Sequence, residues 1–170
     1  GGARRSSNGI GGFLEVTVEA IKALRDQTGA GIMDCKRALE QADGGLDEAL
    51  SILREKGAAT VAKKASRATK EGLVESYIHS GRRMGAMVEV NCETDFVART
   101  PEFKELAHDI AMQVVAMAPL YMDSSEIPEE EDHNPQETCL LQQTFIRDDA
   151  KTVQDLVNEA VAKLGENVRV

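Results

Sequence analysis

Asp95 and Phe96 place a carboxylate directly beside a large apolar ring, just past an apolar stretch at residues 84–90 that predicts a β-strand. A charged group and a ring at a strand end suit contact with another molecule better than burial. The alternative is that Phe96 and Val97 fold back onto the protein's own core, because a single phenylalanine is usually a core residue. The chemistry that this pair could supply is recognition of a partner.

Motifs for bond-making chemistry are absent from the sequence. No GxxxxGK[ST] loop occurs, so we expect no direct nucleotide binding, and neither GxSxG nor HExxH is present. The three histidines are not at metal-ligand spacing. The three cysteines are scattered without a CxxC pair, which favours reduced thiols inside a cell. We therefore expect no catalytic residue, no metal, no cofactor and no covalent chemistry.

The overall charge favours a protein partner. The formal net charge is −9 at pH 7, whereas contacts to nucleic-acid phosphates need clustered Lys and Arg. No apolar run approaches the ~20 residues that span a bilayer, so we expect no membrane partner. Hydrophobic residues make up 42% and aromatic residues 4% of the chain, which predicts a largely aliphatic core.

Residues 15–57 are predicted to form three short amphipathic helices, the first capped by Thr17 and the third ended by Gly57. Their predicted core faces are Val18, Ile21 and Leu24, then Ile32, Cys35 and Leu39, then Leu46, Ala49, Leu50 and Leu53. Residues 1–14 are Gly- and Ser-rich and are expected to be a flexible tail. Residues 58–71 form a basic connector. It is either a patch for an acidic partner or RNA, or a solvated helical linker, and the lack of an aromatic residue among the charges favours the linker.

Residues 72–170 are predicted to form an α+β unit. Two strands at 73–78 and 84–90 are joined by a turn, and a helix follows at 101–117. Seven acids and no Lys or Arg between 123 and 137 predict a mobile, solvated acidic loop at 123–138. A last helix begins with a capping box at Thr152 and Asp155, and residues 167–170 are expected to add a third antiparallel strand. The fold class is therefore α+β, with a helical bundle before a three-stranded antiparallel sheet packed with helices.

Two segments resemble the elongation factor Ts family. Residues 24–39 read LRDQTGAGIMDCKRAL and residues 90–99 read VNCETDFVAR, in the family's order, and shorter similarities occur at 76–79 and 163–168. The resemblance implies a ubiquitin-associated-like bundle, then an α+β core. Family members carry a further helical stretch where this chain has the acidic loop, and usually a basic tail.

The resemblance also implies a function. The expected partner is elongation factor Tu, whose GDP the chain would help to release so that GTP can rebind. The residues implied near the partner's nucleotide and Mg²⁺ site are Thr94, Asp95, Phe96 and Val97. Those implied to grip its G domain are Arg25, Ile32 and Met33. A homodimer through the core sheet, and a place in the bacterial cytoplasm or alternatively a plastid or mitochondrion, are further expectations.

A different class of function competes with this interpretation. The three-helix segment could belong to an adaptor that binds a ubiquitin-like or peptide partner, with the second unit serving only for dimerisation. An adaptor would not need Asp95 and Phe96, so these two residues discriminate between the hypotheses. An enzyme is the third alternative, and no motif in the sequence indicates one.

Overall fold

The computed structural model describes residues 16–170, so the tail predicted at 1–14 lies outside the described residues. The chain divides into two units, residues 1–55 and 56–170. Within the described range, none of the helices combines the length and apolar character that a membrane crossing requires.

Helices build the first unit: α1 (Val18–Thr28), α2 (Ile32–Gln41) and the start of α3 (Leu46–Lys64). The hydroxyl of Thr17 accepts a hydrogen bond from the Ala20 amide at 3.1 Å, which confirms the predicted cap. α1 ends at Gly29, whose φ of 66° is left-handed and suits glycine. The buried core of this unit is aliphatic and small: Leu24, Cys35, Ala38, Leu39 and Ala49.

Four details of the helical prediction are wrong. The exposed fractions of Val18, Ile32 and Leu46 are 76%, 55% and 37%, so none of them belongs to the core face on which periodicity placed it. The third helix does not end at Gly57 but runs on to Lys64. A glycine inside a helix costs only about 1 kcal/mol relative to alanine, and the alanine-rich residues that follow continue the helix. The basic connector is therefore helical up to Lys64.

A hairpin and two long helices form the second unit. β1 (Glu71–Ile78) and β2 (Gly85–Cys92) are antiparallel, with a register from the Glu71–Cys92 pair to the Ile78–Gly85 pair. The short α4 (Asp95–Ala98) follows β2, and α5 (Pro101–Met117) comes next. The core lies between the inner face of the hairpin and the helices, and its largest buried side chains include Val90, Phe103, Ile110, Val153 and Val161.

The predicted helix ends in this unit are confirmed. α5 begins at Pro101, and the Thr100 hydroxyl accepts from the Phe103 amide at 3.3 Å. The chain then forms α6 (Pro135–Thr138), β3 (Thr144–Phe145) and β4 (Asp148–Thr152). The last helix is α7 (Val153–Leu164). Its capping box joins Thr152 and Asp155 at 2.9 and 3.1 Å.

The sheet differs from the prediction. Within residues 16–170, the hairpin sheet has two strands rather than three, because residues 167–170 contribute a single bridge between Arg169 and Asn91. A second two-stranded sheet, β3 with β4, was not predicted. Its strand Asp148–Thr152 reads DDAKT, which lacks the alternation of apolar and polar residues by which strands are recognised.

The acidic loop contains more structure than its composition predicts. A turn of 3₁₀-helix covers Ser124–Glu126, and α6 lies at the end of the loop. The Tyr121 hydroxyl donates to Glu131 at 2.8 Å, and the same carboxylate lies 2.7 Å from His133 Nε2. These contacts lower the pKa of Glu131 and raise the pKa of Tyr121. The mobility of the loop stays a prediction.

Two fully buried glutamines join α5 to the chain segment after α6. Gln113 Nε2 donates to Gln143 Oε1 at 3.2 Å and to the Thr144 carbonyl at 3.0 Å. Gln113 Oε1 accepts from the Ile146 amide at 2.9 Å, while Gln143 Nε2 donates to the Glu137 carbonyl at 2.8 Å. Because a buried amide without partners is costly, these bonds favour one placement of this segment on α5.

Candidate functional site

The turn from β2 into α4 carries the candidate site residues of the second unit. Thr94 is the N-cap of α4, with extended backbone, and its hydroxyl accepts from the Val97 amide at 3.4 Å. Asp95 and Phe96 are the first two residues of this short helix. The chain therefore passes from strand to helix within two residues of Cys92, and this turn carries Asp95 and Phe96.

Phe96 is not a core residue. Its side chain is 78% exposed, whereas Val97 is half-buried against the core and Ala98 is buried. The interpretation that both Phe96 and Val97 fold onto the core is therefore wrong for Phe96 and right for Val97. Burying a phenylalanine side chain contributes about 1.5–3 kcal/mol. Because folding leaves Phe96 exposed, a partner that buries this ring gains that free energy on binding.

The carboxylate of Asp95 lies on the same surface. It is paired with Arg99 one turn later, with 3.0 Å between Oδ2 and Nη2. The Arg99 side chain is 78% exposed and that of Asp95 is 45% exposed, and ion pairs with such access to water contribute little stability. Asp95 can therefore leave Arg99 for a charged or polar group on a binding partner at small cost.

Glu166 holds the start of α4. One carboxylate oxygen accepts from the Thr94 amide at 3.0 Å and the other accepts from the Thr94 hydroxyl at 2.8 Å. Glu166 follows Gly165, the left-handed residue that ends α7. The first residue after the C-cap of α7 therefore supplies a carboxylate to the N-cap of α4.

Glu93 makes the reciprocal contact. Its Oε1 accepts from the Asn167 amide at 2.8 Å, and its Oε2 lies 3.4 Å from Arg67 Nη1. The hydrogen bond from the Asn167 amide, reinforced by Arg67, lowers the pKa of Glu93 below its usual 4.5. Each segment thus supplies a glutamate to a backbone amide of the other, and we call Glu93, Thr94, Glu166 and Asn167 the crossed glutamate clamp.

Further bonds surround this clamp. Asn91 and Arg169 exchange two backbone hydrogen bonds of 2.7 and 2.9 Å. The buried Asn167 donates its side-chain amide to the carbonyl of Arg67 at 2.8 Å. Cys92 donates its thiol to the Thr94 carbonyl at 3.1 Å, and burial raises the pKa of this thiol. The turn that carries Phe96 is therefore fixed on several sides.

The sequence interpretation missed the glutamates of the clamp and Asn167 as site residues. A signal was present, because Glu166 and Asn167 lie in the segment 163–168 that resembles the family. The pattern of residues does not indicate that this segment meets residues 93 and 94, since the contacts join positions 72 and 74 residues apart.

The second predicted set of site residues lies in the first unit. Ile32 and Met33, the first residues of α2, are 55% and 56% exposed, and Arg25 is exposed near the end of α1. The short link between the helices is held by the Thr28 hydroxyl, which donates to the Leu24 carbonyl at 2.7 Å and accepts from the Ala30 amide at 3.2 Å. These exposed side chains are available to a partner.

The part of the chain that the structure describes gives no evidence of a metal site. There, no group of three or more His, Cys, Asp or Glu side chains is arranged to hold an ion. The exposed candidates Phe96, Ile32 and Met33 are apolar, and the arrangement suits binding of another protein.

Comparisons with known proteins agree with this picture. The model of the family described as Elongation factor TS matches residues 13–136. The chain is 47% identical over 185 residues to elongation factor Ts of Thermotoga neapolitana, which covers 92% of this chain and 94% of that protein. The protein of the same name from Thermotoga maritima is 48% identical, with 92% and 93% covered. That of Thermoanaerobacter pseudethanolicus is 46% identical over 183 residues, with 90% of each chain covered.

The length of the Thermotoga neapolitana match carries additional information. The alignment extends over 185 residues, which is more than 92% of a chain of 170 residues can supply. That relative therefore contains residues, inside the matched region, that have no counterpart in this chain.

The depressed pKa of Glu93 predicts a pH-dependent contribution to stability. A folded-state pKa below the usual 4.5 stabilises the fold fully above pH 4.5, and this contribution is lost as the pH falls through the folded-state value. We expect Glu93→Gln to lower the urea midpoint at pH 7, and the gap to the parent protein to narrow below pH 4.5. Unfolding followed by circular dichroism from pH 7 to pH 3 measures this gap.

The matched control is Glu129→Gln, which removes one charge from the exposed acidic loop. We expect its urea midpoint to follow that of the parent protein at every pH. A gap for Glu93→Gln that stays constant down to pH 3 would contradict the assigned direction.

Proposed function

Because this chain belongs to the elongation factor Ts family and is a translation elongation factor, we propose that it binds elongation factor Tu carrying GDP and promotes release of the GDP. GTP then rebinds to the partner. The observation that carries the proposal is the exposed Phe96 beside Asp95, on a turn fixed by the crossed glutamate clamp. The chain performs no covalent step in this function, and the nucleotide binds to the partner and not to this chain.

Thermodynamic linkage explains how such a protein works. A factor that binds the nucleotide-free state of its partner better than the GDP state weakens GDP binding by the same factor. Each tenfold weakening requires about 1.4 kcal/mol of difference between the two states. An exposed phenylalanine that becomes buried only in one partner state can supply one or two such steps.

We assign different roles to the two sets of site residues. Thr94, Asp95, Phe96 and Val97 act near the nucleotide and Mg²⁺ site: Phe96 inserts into the partner, Asp95 offers its carboxylate, and Thr94 and Val97 hold the turn. Arg25, Ile32 and Met33 bind the G domain in both partner states and supply affinity. The exposed apolar side chains of both sets support this division.

The finer fold assignment and the location belong to the same proposal. We assign the first unit to the ubiquitin-associated-like bundles, because three helices surround its small aliphatic core. The isolated bridge between Arg169 and Asn91 supports a place for the last residues beside the hairpin, without a third strand there among residues 16–170. The relatives named above are bacterial, which supports work in a bacterial cytoplasm, with a plastid or mitochondrion as the alternative.

Phe96→Ala tests the inserted ring. We expect a fold of unchanged stability, within about 0.5 kcal/mol, since the ring is exposed. The maximal rate of labelled GDP release from elongation factor Tu should fall at least about tenfold, which is one 1.4 kcal/mol step of lost coupling. Stopped-flow fluorescence measures this rate.

Phe103→Ala is the matched control for Phe96→Ala. This ring is fully buried, so its truncation should lower stability by about 3–5 kcal/mol. If Phe96→Ala lowered the melting temperature in the manner of Phe103→Ala and kept full exchange in the cold, Phe96 would be structural and the proposal would fail.

Arg25→Ala and Met33→Ala test the gripping set. Contacts made equally in both partner states change affinity and leave the maximal rate unaltered. We expect the half-saturating concentration to rise and the plateau of GDP release to stay constant, as measured by titration. Arg54→Ala, at an exposed position of α3, is the control and should change neither quantity. A reduced plateau at unchanged half-saturation would reverse the assigned roles.

We further propose a homodimer through the outer face of the hairpin. Val74, Ile78 and Met87 project from the face opposite the core and are 63%, 61% and 75% exposed. Met87→Asp should shift a dimer to a monomer in sedimentation velocity. Ile146→Asp, at an exposed position that does not line the cavity beside Met87, should leave the mass unchanged. A monomeric parent protein at micromolar concentration would refute the dimer.

A further inference from the structure

The short helix α4 cannot fix its own direction. It has four residues, and isolated helices shorter than about 12–15 residues are marginal in water. On its inner side, Val97 is half-buried and Ala98 is buried in the core, which limits tilting toward the sheet. The direction in which Phe96 points therefore depends on what holds the N-cap, Thr94.

Both donors of Thr94 are bound by one carboxylate. The amide and the hydroxyl of Thr94 donate to the two oxygens of Glu166, at 3.0 and 2.8 Å. Two bonds to two different atoms restrain rotation of the N-cap as well as its position. The hydroxyl oxygen remains an acceptor for the Val97 amide, so the same group links Glu166 to the first turn of α4.

Glu166 is in turn attached to a rigid element. It lies directly after the C-cap of α7, and Val153, Val157 and Val161 anchor α7 in the core. On the other side of Glu166, Asn167 is buried and bound to Glu93 and to the carbonyl of Arg67. The carboxylate of Glu166 therefore has little freedom to follow α4 if that helix moves.

We propose that Glu166 is a positioning residue for nucleotide exchange. It acts through Thr94 to hold α4 in the direction that presents Phe96 to the partner, and it makes no contact with the partner itself. This inference rests on the proposed exchange function. It differs from a purely stabilising role because it makes the activity of Phe96 depend on the carboxylate of Glu166.

The first experiment measures GDP release from elongation factor Tu for the parent chain, Glu166→Ala, Phe96→Ala and the double variant. We expect Glu166→Ala to lower the maximal rate about tenfold, one 1.4 kcal/mol step, at unchanged half-saturation. Added to Phe96→Ala, it should cause no further loss, because its effect passes through the ring. An equal loss with or without Phe96 would overturn the inference.

Two variants separate positioning from stability. Glu166→Gln keeps one acceptor oxygen for Thr94 and should recover part of the rate. Val153→Ala trims a buried side chain at the opposite end of α7 from Glu166, and should lower the urea midpoint at full exchange rate. If Val153→Ala lowered the rate as much as Glu166→Ala at equal loss of stability, Glu166 would be merely structural.

The second experiment observes the direction of α4 without the partner. The sequence contains no tryptophan, so Phe96→Trp introduces a single emitter at the site. Time-resolved anisotropy should show a larger amplitude of nanosecond motion in Phe96→Trp/Glu166→Ala than in Phe96→Trp alone. Equal amplitudes would refute positioning whatever the exchange assay shows. If the parent chain does not accelerate GDP release from elongation factor Tu, the proposed function fails. The anisotropy alone then decides whether Glu166 holds the turn.

Discussion

The exchange of glutamates between the end of β2 and the end of α7 is the contact on which the rest of the second unit depends. Glu166 binds the amide and hydroxyl of Thr94, and Glu93 binds the amide of Asn167. Hydrogen bonds to charged acceptors contribute about 1.5–3 kcal/mol each when shielded from water, and those of Glu166 are partly buried. The clamp converts a strand end, where backbone amides would face water, into a defined turn. It adds to the backbone bonds between Asn91 and Arg169, which hold the same two segments together.

Features with local causes were predictable from the sequence. The bounds of α5 at Pro101 and Met117 and the capping box at Thr152 depend on side chains within a few residues of each helix end. The hairpin followed from apolar runs on both sides of a glycine-containing turn. Within the candidate site, the sequence predicted that Asp95 and Phe96 follow a strand. It did not predict whether the ring of Phe96 lies in the core or in water, because a single phenylalanine shows no periodicity.

Features that depend on distant residues were not predictable. Ile32 has helical spacing to Cys35 and Leu39, yet it is exposed because the small core of the first unit is filled without it. Asp148–Thr152 pairs as a strand although its sequence is polar, and it lies just beyond the segment that the buried amides of Gln113 and Gln143 hold against α5. Glu166 looked like one acid among many, since a carboxylate shows no sign in the sequence of which amide it will bind.

The partners of the clamp are far apart in sequence, and this separation has a consequence for folding during synthesis on the ribosome. Thr94 and Glu166 are 72 residues apart, and Glu93 and Asn167 are 74 residues apart. Chains grow from the N-terminus at about 5–20 residues per second, so roughly 4 to 14 s separate the synthesis of Thr94 from that of Glu166. During this interval the hairpin and α5 can form, since their contacts are closer in sequence, but the turn beside Phe96 has no carboxylate to hold it. The exposed ring is thus a property of the unfinished chain, and its fixed direction is acquired only when residue 166 has been added.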